Sequence, residues 1–291
     1  MIKRICDTIS HHLMHGLVRR AARAYVVGPD LADAMRVCRS LDANGFATTI
    51  CAWNSEDDLA VDNATRCLEE INAIALEKVD CYISLKAQDL RFSRDLIGQI
   101  YDRAQRLNVG IHLDSMGPET ADQMFSLIGV LRSRNEKVGC TIPSRWARSP
   151  ADAERASQMG LRVRVVKGQW GDPLEPGIDA RAGFLRIIDR LAGQARETAV
   201  ATHDPGLARE ALGRLRARGT ACELELLFGL PLRPIIPVAK EMGVPVRIYV
   251  PYGHAWLPYA IGQVRKNPRI AFWVVRDLLS GGRSELDRLP G

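Results

Sequence analysis

The absences in this chain narrow it first. No run of eighteen apolar residues occurs, so no stretch reads as a helix that crosses a bilayer. The opening MIKRICDTISHHLMHGLVRR has neither a long apolar core nor a small-residue cleavage site, and does not read as a secretory signal. The cysteines (Cys6, Cys38, Cys51, Cys67, Cys81, Cys140 and Cys222) form no CxxC pair and are odd in number, which argues against a zinc site or a disulfide framework. They read as small buried hydrophobes of a reduced, cytoplasmic protein, with peripheral contact at the inner membrane left open. Basic residues never gather into a nucleic-acid arm: Arg19-Arg20 and the stretch 214–218 are short. His11 and His15 share a helix face beside His12, but no carboxylate completes a metal site, so they read as a surface cluster. Linkers and low-complexity segments are missing too, and one domain over 1–291 is expected.

What is present suits a globular α/β protein. The chain has 291 residues, 46% hydrophobic and 25% charged, with a net charge of +6. Short apolar runs rich in β-branched residues alternate with longer amphipathic segments. The runs are 47–53 (ATTICAW), 81–86 (CYISLK), 109–114 (VGIHLD), 138–143 (VGCTIP), 163–168 (VRVVKG), 198–204 (TAVATHD), 222–229 (CELELLFG) and 246–253 (VRIYVPYG). Such runs read as strands buried on both faces. Helical patterns fall at 31–44, 93–107, 121–133, 151–159, 182–195, 206–218 and 232–242, with Gly45 stopping the first and Asp204-Pro205 and Ser149-Pro150 as starts. Eight β/α units over roughly 210 residues favour a closed (β/α)8, TIM-like barrel over an open sheet. The expected layout is an N-terminal helical segment at 1–46, the barrel at 47–266, and a C-terminal helix and tail at 267–291, with a closing helix at 270–279.

Barrels of this kind place their chemistry where strands end. Those ends carry Lys86, Asp114, Lys167, Thr202, His203 and Glu225. So many charged and hydrogen-bonding groups at one face read as an active site.

Several of these ends, in order, resemble motifs of the proline dehydrogenase family. VRVVKG resembles its arginine-x-x-lysine-glycine strand, with Arg164, Lys167 and Gly168 in place. VATHD matches its threonine-histidine motif at Thr202 and His203; SLK and LD match the strands with the active-site lysine and aspartate, at Lys86 and Asp114. Arg148 fits an arginine after the fourth strand, ELLFG resembles the seventh strand, and RIYVPYG with Tyr259 resembles the last strand and helix. The resemblance runs from about residue 17 to residue 279. It implies a non-covalent FAD on the open face, held by Arg164, Lys167, Gly168, Gln169, Thr202 and His203 with Pro143 beside it. Arg164 would lie at the flavin's reactive edge. Lys86, Asp114 and Arg164 would serve catalysis, and Lys86, Tyr259, Gly262, Gln263 and Arg265 would face the substrate.

Two positions depart from the family. Pro143 replaces a glutamine that contacts the flavin and offers no side-chain donor; Ser144 or Arg145 are the candidates to replace it. Gly262-Gln263 replace two arginines that hold the substrate carboxylate, an exchange that removes charge from a contact whose truncation costs roughly 2–5 kcal/mol in a buried site. Arg265 lies three residues on. The main expectation is therefore an FAD-dependent enzyme that oxidises the C–N bond of a proline-related amine to an imine by hydride transfer to flavin N5, on a modified, carboxylate-masked or carrier-bound substrate. L-proline itself, giving 1-pyrroline-5-carboxylate, and a silent ligand-binding barrel are the alternatives. The partners implied are a small amine or imino acid, a carrier protein on the main reading, and a quinone, oxygen or redox protein as electron acceptor. A folate-dependent flavin barrel is the rival at the level of fold, and no folate motif supports it.

Overall fold

Whether eight apolar runs close on themselves is a question of register, and here they do. The computed structural model describes residues 27–55, 57–132, 137–169 and 171–253. Its strands are β1 (Ala47–Ala52), β2 (Cys81–Leu85), β3 (Gly110–Leu113), β4 (Val138–Pro143), β5 (Arg162–Val166), β6 (Glu197–Ala201), β7 (Ala221–Leu227) and β8 (Val246–Tyr252). Each pairs in parallel with its sequence neighbour, and β8 returns to β1 from Ala47↔Arg247 through Ala52↔Tyr252, closing the barrel. At the seam, Trp53 N–H donates to Tyr252 O, and Gly253 takes φ 113 where a Cβ would meet Trp53 O at 2.8 Å.

The helices form an outer ring: α1 (Leu31–Asp42), α2 (Ala60–Glu77), α3 (Arg94–Leu107), α4 (Ala121–Leu131), α5 (Ser149–Gln158), α6 (Ala180–Leu191), α7 (Pro205–Ala217) and α8 (Ile236–Met242). Their ends follow local chemistry. Ser93 caps α3, Asp179 caps α6, and Asp204 accepts from Gly206 N and Leu207 N at the start of α7. Helix α8 starts four residues later than expected, at Ile236, which puts Pro237 in the first turn, where a missing N–H costs nothing. Helix α2 was not among the expected helices. Its buried face carries Asn63 and Glu70 among Ala64, Cys67, Ile71 and Ile74, so polar residues interrupt the apolar stripe that marks a helix in sequence. Helix α1 packs against β8 and β1, as the N-terminal segment was expected to. Residues 1–26, with Cys6 and the histidine cluster, and the expected closing helix at 270–279 lie outside the described residues. No described helix is long and apolar enough to cross a membrane.

The strands are buried on both faces, but the two faces differ. Outward residues such as Val163, Val165, Leu224, Leu226 and Ile248 form the apolar core with the helices. The inward face of β5, β7 and β8 carries Arg162 and Arg164, Glu223 and Glu225, and Arg247 and Tyr249; all of these except Tyr249 and Arg162 are buried to under 8% exposure. The barrel is thus filled by charge pairs stacked in layers rather than by aliphatic side chains.

Candidate active site

The upper layer is centred on Arg164. Its Nη1 donates to Asp114 Oδ1 at 2.7 Å, with longer contacts to Ser84 Oγ at 3.3 Å and Thr141 Oγ1 at 3.4 Å. Its Nη2 lies 2.9 Å from Glu225 Oε1, an ion pair without hydrogen-bond alignment. The guanidinium carbon sits 4.9 Å from the centre of the Tyr249 ring. Burial alone would favour neutral Arg164, but Glu225, Tyr82 and Asp114 outweigh it and hold the cation firmly charged. Glu225 shows the mirror case. Burial pushes its pKa up, yet Arg164, Arg162 and Arg247 pull it below the usual carboxylate value.

Asp114, just past β3, is an acceptor on both oxygens. Oδ1 takes Arg164 Nη1 and the Thr141 hydroxyl at 2.9 Å, and Oδ2 takes the Tyr249 hydroxyl at 3.0 Å. Burial, with the Asp114 charge second, raises the Tyr249 pKa well above the ordinary phenol value, so it stays a donor. Below lies a second charged layer: Arg247 Nε donates to Glu223 at 2.8 Å, Arg162 pairs with Glu223, and both guanidinium groups lie 4.5 Å from the Tyr82 ring centre.

A cleft of about 1290 Å³ opens above Arg164. Lys86, Asp114, Pro143, Arg164, Lys167, Gly168, Gln169, Thr202 and His203 all line it, so the structure brings together every described site residue expected from sequence. Tyr259, Gly262, Gln263 and Arg265 lie outside the described residues. The sequence reading passed over Tyr249, and it noted Glu225 at a strand end without assigning it to the site. Their signal was present as polar side chains at every second position of RVR, ELE and RIY, which mark an inward polar face. Also passed over was a polar wall from the β1–α2 loop, the first turn of α2 and the turn after β2. There Asn54 donates to Asp89 at 2.7 Å and Asn63 donates to Asp89 O at 3.0 Å.

Some expected contacts change in detail. His203 Nε2 accepts from Leu227 N at 2.9 Å, so Nδ1 carries the proton and faces Pro231 O at 3.3 Å. Burial lowers its pKa. The ring is neutral with both nitrogens engaged, and it braces the β6 and β7 ends rather than offering charge. Thr202 Oγ1 accepts from Asp204 N at 3.2 Å and keeps its own hydroxyl proton for the cleft. Lys167 is half-exposed, with Asp204 Oδ2 at 3.8 Å. Beside Pro143, the Ser144 hydroxyl is buried against Lys167 O at 3.0 Å and Ala180 O at 2.7 Å, so it cannot replace a lost ligand contact; exposed Arg145 lines the cleft and can. Arg148 does not line the cleft. It clamps α4 to α5 through Asp122 at 2.7 Å and Asp152 at 2.8 Å.

The donor set suits a large anionic ligand. The cleft exceeds the roughly 300–1,000 Å³ of ordinary small-molecule pockets. Arg164 lines its floor as a fixed cation paired with Asp114 and Glu225. Lys167 and Arg145 add cations at the rim. No group of His, Cys, Asp and Glu among the described residues could hold a metal.

No family model matches the chain. Proline dehydrogenase 1 of Bacillus subtilis (strain 168) is 25% identical over 279 residues, covering 90% of this chain and 91% of that protein. Proline dehydrogenase of Deinococcus radiodurans is 25% identical over 287 residues, covering 89% of this chain and 90% of that protein. Among solved structures, proline utilization A from Bdellovibrio bacteriovorus, inactivated by N-propargylglycine, matches with a TM-score of 0.74 at 17% identity over 85% of this chain and 32% of that one. Proline utilization A from Corynebacterium freiburgense gives a TM-score of 0.69 at 18% identity, over 94% and 34%. The chain spans about a third of those two structures, and the likeness shows a shared barrel fold.

Proposed function

We propose, from the premise that the chain belongs to the proline dehydrogenase family, that it is a flavoenzyme oxidising the C–N bond of L-proline. The observation that supports this best is the cluster of Arg164, Asp114, Glu225 and Tyr249 on the floor of a cleft that Lys86, Lys167, Gly168, Thr202 and His203 also line. Near-full-length relatives named proline dehydrogenase favour L-proline over a carboxylate-masked derivative. The masked-substrate expectation rests on Gly262-Gln263, outside the described residues.

FAD, when bound, supplies the two-electron acceptor. Arg164 would lie beneath it, and Lys167, Arg145, Gln169 and Thr202 would hold its polar periphery. A fixed guanidinium, already oriented by two carboxylates, stabilises negative charge that builds above it without reorganising during the reaction. Removing hydride from the carbon beside nitrogen needs the nitrogen lone pair, so the substrate amine must be neutral. Lys86 and Arg164 at the cleft disfavour a second cation and so favour the neutral amine. Asp114 stays engaged with Arg164, Thr141 and Tyr249 and keeps the floor rigid.

An absorbance spectrum followed by anaerobic titration tests the reading. The purified protein, supplied with FAD, is expected to show a flavin spectrum that L-proline bleaches, with pyrrolidine and proline methyl ester weaker. Bleaching by the ester alone would favour the masked substrate. No flavin uptake would overturn the flavoenzyme reading.

A further inference from the structure

We propose that His112, inside the barrel beneath the cleft, is a positioning residue that fixes hydrogen-bond direction at Asp114 and thereby the donor state of Tyr249. Its imidazole lies between the two charged layers. Nδ1 faces Arg162 Nη1 at 3.4 Å, and Nε2 lies 3.0 Å from Thr141 Oγ1. A guanidinium can only donate, so Nδ1 accepts and Nε2 carries the proton. Thr141 Oγ1 therefore receives the His112 N–H. It also faces Arg164 Nη1 at 3.4 Å, and its single proton goes to Asp114 Oδ1 at 2.9 Å. Asp114 Oδ1 is thus taken by two donors, Thr141 and Arg164, and Oδ2 is left to accept the Tyr249 hydroxyl, 3.0 Å away. For anything in the cleft, the phenol oxygen is then an acceptor only, suited to a substrate N–H.

A separate feature of the barrel makes room for this histidine. Gly139 on β4 lies opposite both His112 and Arg162 in register. A Cβ there would come within 2.5 Å of His112 Nδ1 and 2.9 Å of Arg162 O. The glycine leaves the space that seats the ring against the guanidinium. The groups around His112 lock one protonation state. Tyr82 on β2 stacks at 5.8 Å, Arg162 and Arg164 come from β5, Arg247 from β8, and Glu223 and Glu225 on β7 engage those arginines. Burial, then the three arginines, press its pKa well below the ordinary value, so no proton enters as the pH falls through the usual histidine range.

The chain has six histidines, which suits ¹⁵N-histidine NMR. The His112 signal, assigned by its loss in His112→Gln, is expected as a neutral ring protonated at Nε2, unchanged from pH 5 to 9. An Nδ1–H tautomer or an imidazolium in that range would overturn the proposal. This arm is independent of the reaction. The second arm rests on the proposed function. His112→Gln places an amide donor near Nε2, whereas His112→Asn places one near Nδ1 and abandons Thr141. Flavin reduction by saturating L-proline is expected within threefold of the parent in the Gln variant and at least tenfold slower in the Asn variant, at matched thermal midpoints. Equal losses in both, tracking stability, would mean a packing role and sink the positioning claim. If the parent itself is not reduced by L-proline, the proposed function fails while the NMR result still decides the tautomer.

Discussion

At the scale of single residues, Arg164 does more than a strand-end cation would. Sequence reasoning expects Arg164→Ala to slow flavin reduction at least tenfold and leave the fold intact. The structure changes the second expectation. Arg164 is 3% exposed between Asp114 and Glu225, so its removal takes the cation from a buried Glu225 and a part-buried Asp114. Breaking one side of a buried ion pair costs roughly 3–5 kcal/mol, and Arg164→Ala should lower the thermal midpoint clearly. Adding Glu225→Gln should recover part of that loss without recovering the reduction rate. Recovery of both would deny Arg164 an electrostatic role.

Glu70 is a second residue whose state only the fold sets. It is buried on α2, accepts the Tyr252 hydroxyl at 2.8 Å, and has its pKa pushed to about 8 by burial, with Tyr252 and Arg66 offsetting part of the effect. In the unfolded chain it titrates near 4.5. Between those values the unfolded state loses a proton that the folded state keeps, so stability falls as pH rises from about 4.5 to about 8. Glu70→Gln should leave stability unchanged near pH 4.5 and raise it progressively toward pH 8, by an amount on the order of a few kcal/mol. A difference constant with pH would contradict a neutral buried carboxyl.

At the scale of elements, fit between helix and strand decides which positions tolerate change. Helix α6 backs onto the loop after β4 so closely that a Cβ at Gly183 would meet Ser144 O at 2.1 Å. Ser144 in turn donates toward Lys167 O and Ala180 O, linking α6 to the cleft wall. Gly183→Ala gains helix propensity yet should destabilise by about 1–3 kcal/mol through overpacking against backbone that cannot yield. A stabilised variant, by denaturant midpoint, would show that α6 can slide. The elements were largely legible in sequence, because Val, Ile and Ala runs bounded by Gly, Asn and Pro have strong local causes. Helix α2 was not, since Asn63 and Glu70 occupy its buried face through contacts with Asp89 O and Tyr252, residues that lie far away in the chain.

At the scale of the whole molecule, closure matters more than surface charge. Arginine–acid pairs join neighbouring outer helices: Arg39–Glu77 between α1 and α2, Arg190–Glu154 between α5 and α6, Arg214–Asp189 between α6 and α7, and Arg209–Glu241 between α7 and α8. Most are substantially exposed, and such pairs contribute about 0–1 kcal/mol each. The β1–β8 seam instead joins residues some two hundred positions apart into one barrel. Molar salt should therefore shift the thermal midpoint less than Arg164→Ala does, and amides of β1 and β8 should exchange at the same slow rate. Faster exchange at β8 would mean that the seam opens before the barrel unfolds.

The sequence by itself determined the alternation of strands and helices, the closed-barrel class and the strand-end residues that line the cleft, because each has a local cause in apolar periodicity, capping or a short motif. Tertiary structure alone decided what those residues are to one another. It turned Asp114 toward Tyr249, tied up both nitrogens of His203, spent Ser144 on backbone and Arg148 on a helix clamp, and seated His112 against Gly139. Those outcomes depend on register between strands and on burial in a shared interior, and neither quantity is carried by any one segment of the chain.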